Sequence, residues 1–192
     1  MFYLIRHGTA DYTEKDTKIY QGFGNHLAPL SAKGIREIET TAADPRLAQA
    51  RLILSSPYTR ALQSAAILSR CLQIPLQVET DLHEWLADQT YVYLPDEQAA
   101  RHYNEFQACN GLYPPGEEKT WESLSAMRRR MIRVFQRYQG QGDLLVVCHG
   151  LVIQSLCGYH PGNGEIVEFD LDSCMNDQNT KRKQRTKQNE QI

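Results

Sequence analysis

The chain has no apolar run long enough to cross a membrane. Its longest clean stretches, such as Leu144 to Cys148, have the length of a strand, so no membrane partner is expected. The apolar opening Met1 to Ile5 stops at Arg6, too soon for a signal peptide. Cysteine occurs five times, an odd number, and never as Cys-x-x-Cys. Without a secretion signal this pattern reads as reduced thiols, and a cytoplasmic location is expected. Cys71 and Cys148 stand among apolar neighbours and read as small core residues. Positive charge is not in excess: 21 Lys and Arg face 23 Asp and Glu, for a net charge of -2. Nucleic-acid binders are usually basic, so that class is disfavoured. No internal repeat stands out.

What is present suffices for a core. Hydrophobic residues make up 41% of the 192 and charged residues 23%, which excludes wholesale disorder. A chain of this length buries roughly two-thirds of its unfolded surface and needs no disulfide or metal to hold it. Residues 1–175 read as one domain with an insertion at about 85–115. Residues 176–192 carry five Lys and Arg against two acidic residues. They read as a polar, basic, disordered tail, with a basic arm for an anionic partner as the alternative.

Five segments have strand character: Phe2 to Ile5, Leu52 to Ser55, Leu76 to Glu79, Leu144 to Cys148 and Ile166 to Leu171. The fourth is apolar throughout, as expected of a strand covered on both faces. Helices are expected over Ser31 to Ala43, over Tyr58 to Leu72 with Ser56 as cap and Pro57 in the first turn, and over Trp121 to Tyr138. The alternation implies an α/β fold, a three-layer sandwich whose central sheet is mostly parallel with helices on both faces. The segment from Trp85 to Pro115 breaks the rhythm and reads as an excursion of the kind that often covers a site.

Three short motifs share one placement. Arg6-His7-Gly8 follows the first strand, Ser55-Ser56-Pro57-Tyr58-Thr59-Arg60 the second and His149-Gly150 the fourth. Ligands of open α/β sheets bind beyond the carboxyl ends of the strands, so two arginines and two histidines are expected at one edge. That cluster suits a phosphoryl group. Guanidinium forks bind its oxygens in pairs, and an imidazole can attack phosphorus or donate to oxygen.

These blocks resemble the histidine phosphatase superfamily, also called phosphoglycerate mutase-like, over Phe2 to about Leu171. Arg6-His7-Gly8 is similar to its signature, Ser55 to Ala61 to its second block, and Val146-Val147-Cys148-His149-Gly150 to its last. Gln21-Gly22-Phe23, Leu30-Ser31-Ala32-Lys33-Gly34 and Leu82-His83-Glu84 resemble further stretches. The resemblance implies the phosphoglycerate mutase-like fold and a set of roles. His7 would be the nucleophile that becomes phosphohistidine, with Arg6, Arg60 and His149 binding the phosphoryl group. Glu84 would be the proton donor and acceptor. Thr13, Gln21 and Gly22 sit where relatives place further substrate-phosphate contacts. The chain departs from the common pattern at Thr9-Ala10 and at Trp85 to Tyr91, which bears on the substrate.

The chemistry imposes its own demands. His7 must attack as neutral imidazole, a form that nearby cations favour, whereas His149 could be cationic once phosphate binds. Glu84 must be protonated to act as an acid, which burial would promote. Arg6 and Arg60 can supply the charge, so neither a divalent metal nor a cofactor is expected. The leading expectation is a metal-independent phosphatase acting on a small phosphorylated metabolite. A phosphoglycerate mutase-type transferase and a catalytically silent phosphate-binding protein are the alternatives. Glu122 reads as a favourable first-turn charge or a substrate-side group. The excursion's tyrosines read as core before pocket wall. Arg101, Lys119 and Arg128 read as solvated charge, and His26, His83, His102 and His160 as ordinary. Oligomeric state is not legible.

Overall fold

A computed structural model describes residues 1–17, 24–90, 92–174 and 176. The five apolar segments form one sheet: β1 (Phe2–Arg6), β2 (Leu52–Ser55), β3 (Leu76–Val78), β4 (Leu144–Cys148) and β5 (Ile166–Phe169). Their order is β3-β2-β4-β1-β5. The first four run parallel, and β5 pairs antiparallel with β1, Phe2 opposite Phe169. Every residue of β4 is buried, which its uninterrupted apolar sequence anticipated.

Six helices flank the sheet among the described residues: α1 (Gly24–Leu27), α2 (Ala32–Thr41), α3 (Thr59–Leu72), α4 (Asp96–Ala108), α5 (Leu124–Tyr138) and α6 (Gly150–Cys157). The pleat sends alternate strand residues to opposite faces. Leu4, Leu54, Val146 and Cys148 pack with Met127, Met131 and Phe135 of α5 and Val152 of α6. Ile5, Ile53, Leu145 and Val147 pack with Ile38 of α2 and Ala61, Ala65 and Leu68 of α3. Three layers result, in an α/β fold with a mostly parallel sheet, as the alternation implied.

Local chemistry moves several boundaries. The Ser31 hydroxyl caps α2 by accepting the Gly34 N–H at 3.1 Å, and the Ser123 hydroxyl caps α5 by accepting that of Ala126 at 3.2 Å. Helix α5 therefore starts three residues inside the expected Trp121. Tyr58, not Ser56, stands at the N-cap of helix α3 and offers no side-chain cap, while the Ser56 hydroxyl accepts the Tyr58 N–H at 3.3 Å and also meets His149. Cys71 is exposed, against expectation, because it falls on the outer face of α3; Cys148 is buried. The excursion holds α4, and its aromatics pack on one another. Trp85 lies edge-on to Tyr103 at 5.6 Å, and Trp121 edge-on to Tyr113 at 4.9 Å and to Phe106 at 5.5 Å. Trp121 and Phe106 are buried, while Tyr93 and Tyr103 stay exposed. Among the described residues no helix is long and apolar enough to cross a membrane.

One close approach fixes the loop after β1. A Cβ on Gly8 would lie 2.3 Å from the Gly34 carbonyl oxygen, and one on Gly34 would lie 2.2 Å from that of Thr9. Only paired glycines let the first turn of α2 press against the backbone that carries His7.

Candidate active site

Because β1, β2 and β4 are parallel, the segments following them emerge at one edge. The turn Thr80–Leu82 after β3 leads Glu84 to the same region. Strand β5 runs the other way, so the loop that precedes it, residues 158–165, arrives there too. Its Gly164 N–H donates to the Arg6 carbonyl at 2.9 Å, and the Asn163 amide to the His7 carbonyl at 2.8 Å.

At that edge His7 and His149 stand edge to face, with ring centroids 5.1 Å apart. His7 Nδ1 lies 2.7 Å from the Gly8 carbonyl, an acceptor only, so Nδ1 carries the proton and Nε2 the lone pair. Arg60 Nε donates to that Nε2 at 3.0 Å. Arg60 Nη2 lies 3.3 Å from His149 Nδ1 and must donate to it, and Nη1 donates to the Asn25 carbonyl. His149 then holds its proton on Nε2, 2.7 Å from the Ser56 hydroxyl. Arg60 is only 5% exposed, and its guanidinium also lies 5.2 Å from the centre of the Tyr58 ring.

Electrostatics follow from this packing. Burial, then the Arg60 charge, pushes His7 down to about 3, so it stands neutral at physiological pH. Burial and Arg60 likewise hold His149 well below the usual imidazole range. In this arrangement His149 is neutral, and a cationic form would need an anion in the pocket. Burial pushes the Glu84 carboxyl above its ordinary range, although it accepts the N–H groups of Trp85, at 2.9 Å, and Leu151. Its charge is felt at Arg6 and Tyr58, which puts it within electrostatic reach of the cluster. Arg6 donates Nη1 to the Pro161 carbonyl at 2.7 Å. Its Nε is the one buried side-chain nitrogen or oxygen among the described residues that lacks a hydrogen-bond partner.

Five residues expected at the site, Arg6, His7, Arg60, Glu84 and His149, thus lie in one electrostatically connected group. Thr13 is exposed and bonded to Asp11 at 2.8 Å. Gln21 and Gly22 lie outside the described residues, as do Tyr91 and nearly all of the tail. Glu122 plays neither expected part: it is buried in a two-point ion pair with Arg130, at 2.7 and 2.9 Å. Arg128 and Lys119 are not free solvated charges. Arg128 donates to the Leu156 carbonyl at 2.8 Å, and Lys119 pairs with Glu117 and Glu105. His160 belongs to the site, with Nδ1 3.5 Å from Arg6 Nη1. Its Nε2 fills the space a Cβ on Gly150 would take, 2.1 Å from that position. No motif marks His160; only the antiparallel pairing of β5 brings it in. His26 lies tilted against Tyr58, ring centres 4.4 Å apart, and Tyr58 in turn meets His149 edge-on at 5.2 Å.

The fold is a three-layer α/β sandwich that gathers paired imidazoles and guanidiniums at its parallel-strand edge. The chain belongs to the histidine phosphatase superfamily, branch 1, whose sequence pattern matches residues 2–174. A bifunctional protein of Mycobacterium tuberculosis is 28% identical over 177 residues, covering 88% of this chain but 47% of the relative. The chain thus spans about half the length of the curated relatives it matches. Among solved structures, a mycobacterial glucosyl-3-phosphoglycerate phosphatase in complex with VO3 superposes with a TM-score of 0.61 at 19% identity, covering 90% of this chain and 93% of that one. A protein described as mycobacterial hydrolase 2 gives 0.62 at 18% identity, covering 86% and 79%. These likenesses establish the fold.

Proposed function

We propose that the chain is a phosphatase hydrolysing small phosphomonoesters through a phosphohistidine on His7, with Arg6 and Arg60 in place of a divalent metal. The single observation that carries this is the neutral His7 imidazole. Its Nε2 lone pair faces Arg60 Nε at 3.0 Å, with the His149 ring centre 5.1 Å from that of His7 and the Arg6 charge felt at His7.

The chemistry runs in two displacements. A phosphoryl oxygen draws the Arg60 N–H groups onto itself, which frees the His7 lone pair. The Nε2–P bond forms as the ester P–O bond breaks, and protonated Glu84 gives its proton to the departing oxygen. Water then attacks phosphorus, Glu84 takes its proton, and the N–P bond breaks to release inorganic phosphate and neutral His7. Arg6 and Arg60 spread the charge of the transferring group. A structurally similar phosphatase was solved in complex with VO3, an oxyanion, which supports oxyanion binding by this fold.

The test is p-nitrophenyl phosphate hydrolysis by the parent and by His7→Ala, each with and without EDTA. It is paired with an alkaline detergent quench of a reaction on a radiolabelled phosphomonoester, the labelled protein then being treated with acid. The expected result is EDTA-insensitive turnover and an acid-labile label, both absent from His7→Ala. Equal turnover by the variant defeats the proposal.

A further inference from the structure

Glu84 is not held by its side chain alone. The buried Arg130 donates Nη1 to the Asp81 carbonyl at 2.6 Å and Nη2 to the Glu84 carbonyl at 3.4 Å. Its Nε and Nη2 also grip Glu122, at 2.7 and 2.9 Å. The backbone of Glu122 closes the other side: its N–H donates to the Leu86 carbonyl at 2.9 Å, and its carbonyl accepts the Trp85 indole N–H at 2.8 Å. The segment 81–86 is therefore clamped on both flanks of Glu84. Arg130 comes from α5, remote in sequence from that segment.

The proposed acid chemistry gives such a clamp a purpose. A carboxyl that must deliver a proton to one oxygen has to be held to within a fraction of an ångström. A buried ion pair is not itself a source of stability, since desolvating both charges offsets their attraction. We infer that Arg130, paired with Glu122, is a positioning residue for Glu84, fixing its backbone so that the carboxyl meets the leaving-group oxygen. The inference rests on the phosphatase reading of Glu84.

Leaving-group dependence separates positioning from mere structure. An alkyl phosphate such as glycerol 2-phosphate needs its departing oxygen protonated, whereas p-nitrophenolate leaves well as an anion. The quantity to read is kcat/KM, which reports steps through phosphoryl transfer to His7. Arg130→Met combined with Glu122→Gln removes the pair without stranding a charge, and Arg130→Lys keeps the charge but loses the fork. The double variant should lose about 100-fold on glycerol 2-phosphate and less than about threefold on p-nitrophenyl phosphate. Arg130→Lys, the variant better suited to folding, should lose about tenfold with the same bias. Glu84→Gln sets the reference. If Glu84→Gln is selective and the Arg130 variants lose both esters equally, or lose neither, the positioning role is overturned alone. If Glu84→Gln treats both esters alike, the acid role fails and takes this inference with it.

Discussion

Arg60 Nε donates to His7 Nε2 at 3.0 Å, so the guanidinium occupies the lone pair proposed to attack phosphorus. The contact favours neutral imidazole twice, by repelling a proton and by using its place. Removing it should let His7 titrate more nearly as an ordinary imidazole. Arg60→Ala should raise the His7 pKa from about 3 toward its unperturbed value, read by NMR titration of the ring. The same variant should lose about 100- to 1000-fold in kcat/KM, because a charge-stabilising donor goes with it. A His7 pKa that stays near 3 would show that burial alone sets it.

Acid sensitivity follows from the depressed imidazoles. Unfolded histidine takes its proton near about pH 6.5, whereas folded His7 waits until about 3 and His149 is held well below its usual range. Between these values the unfolded chain binds more protons than the folded one. Stability is therefore full above about pH 6.5 and is lost as pH falls toward the folded values. Each such group contributes a slope approaching about 1.4 kcal/mol per pH unit. Urea unfolding from pH 7 to pH 4 should show this loss, and His7→Gln should flatten the slope by up to one such increment.

The Gly8–Gly34 contact predicts a stability effect with an activity signature. A methyl group on Gly34 would sit 2.2 Å from the Thr9 carbonyl oxygen, and backbone on backbone has little room to yield. Gly34→Ala should cost about 1–3 kcal/mol, as overpacking of a tight contact does, and should lower kcat by shifting the His7 loop. Thermal melting and steady-state rates check both. An unchanged melting point would mean that α2 slides without consequence.

Ser56 shows what the sequence could and could not reveal. Its block was recognisable, and the strand, the turn and Arg60 all fall as that block implies. The hydroxyl itself read as a helix cap, because Ser before Pro usually is one, yet it meets His149 Nε2 at 2.7 Å across 93 residues of chain. The strands and the five-residue cluster were legible because apolar runs and strand-end motifs are local signals. Arg130, His160 and Asn163 were not. Arg130 looks like one arginine among five on α5, and only burial shows it engaged. His160 and Asn163 reach the site through the antiparallel pairing of β5, which no local pattern encodes.

Ser56→Ala should therefore act on the site more than on the helix. It leaves the His149 Nε2–H without its acceptor in a wholly buried place, at a cost of about 1–3 kcal/mol. The His149 ring also loses one of the two contacts, with Ser56 and with Arg60, that hold its tautomer. Nitrogen-15 shifts of the imidazole should change from an Nε2–H pattern to a mixture, with kcat falling and α3 intact by circular dichroism. A retained Nε2–H pattern would assign the tautomer to Arg60 alone.

As the proposed proton donor, Glu84 should govern the alkaline side of the rate profile. Burial raises its pKa, so the protonated, proton-donating form persists above the ordinary carboxylate range and is lost as pH climbs through the raised value. His7 is already neutral over that range and adds no limb there. With glycerol 2-phosphate, kcat/KM should hold to a pH above the usual carboxylate titration and then fall about tenfold per unit. Glu84→Gln should abolish the limb, since its amide neither gains nor loses a proton. A limb that survives in Glu84→Gln would assign the proton donor to another group.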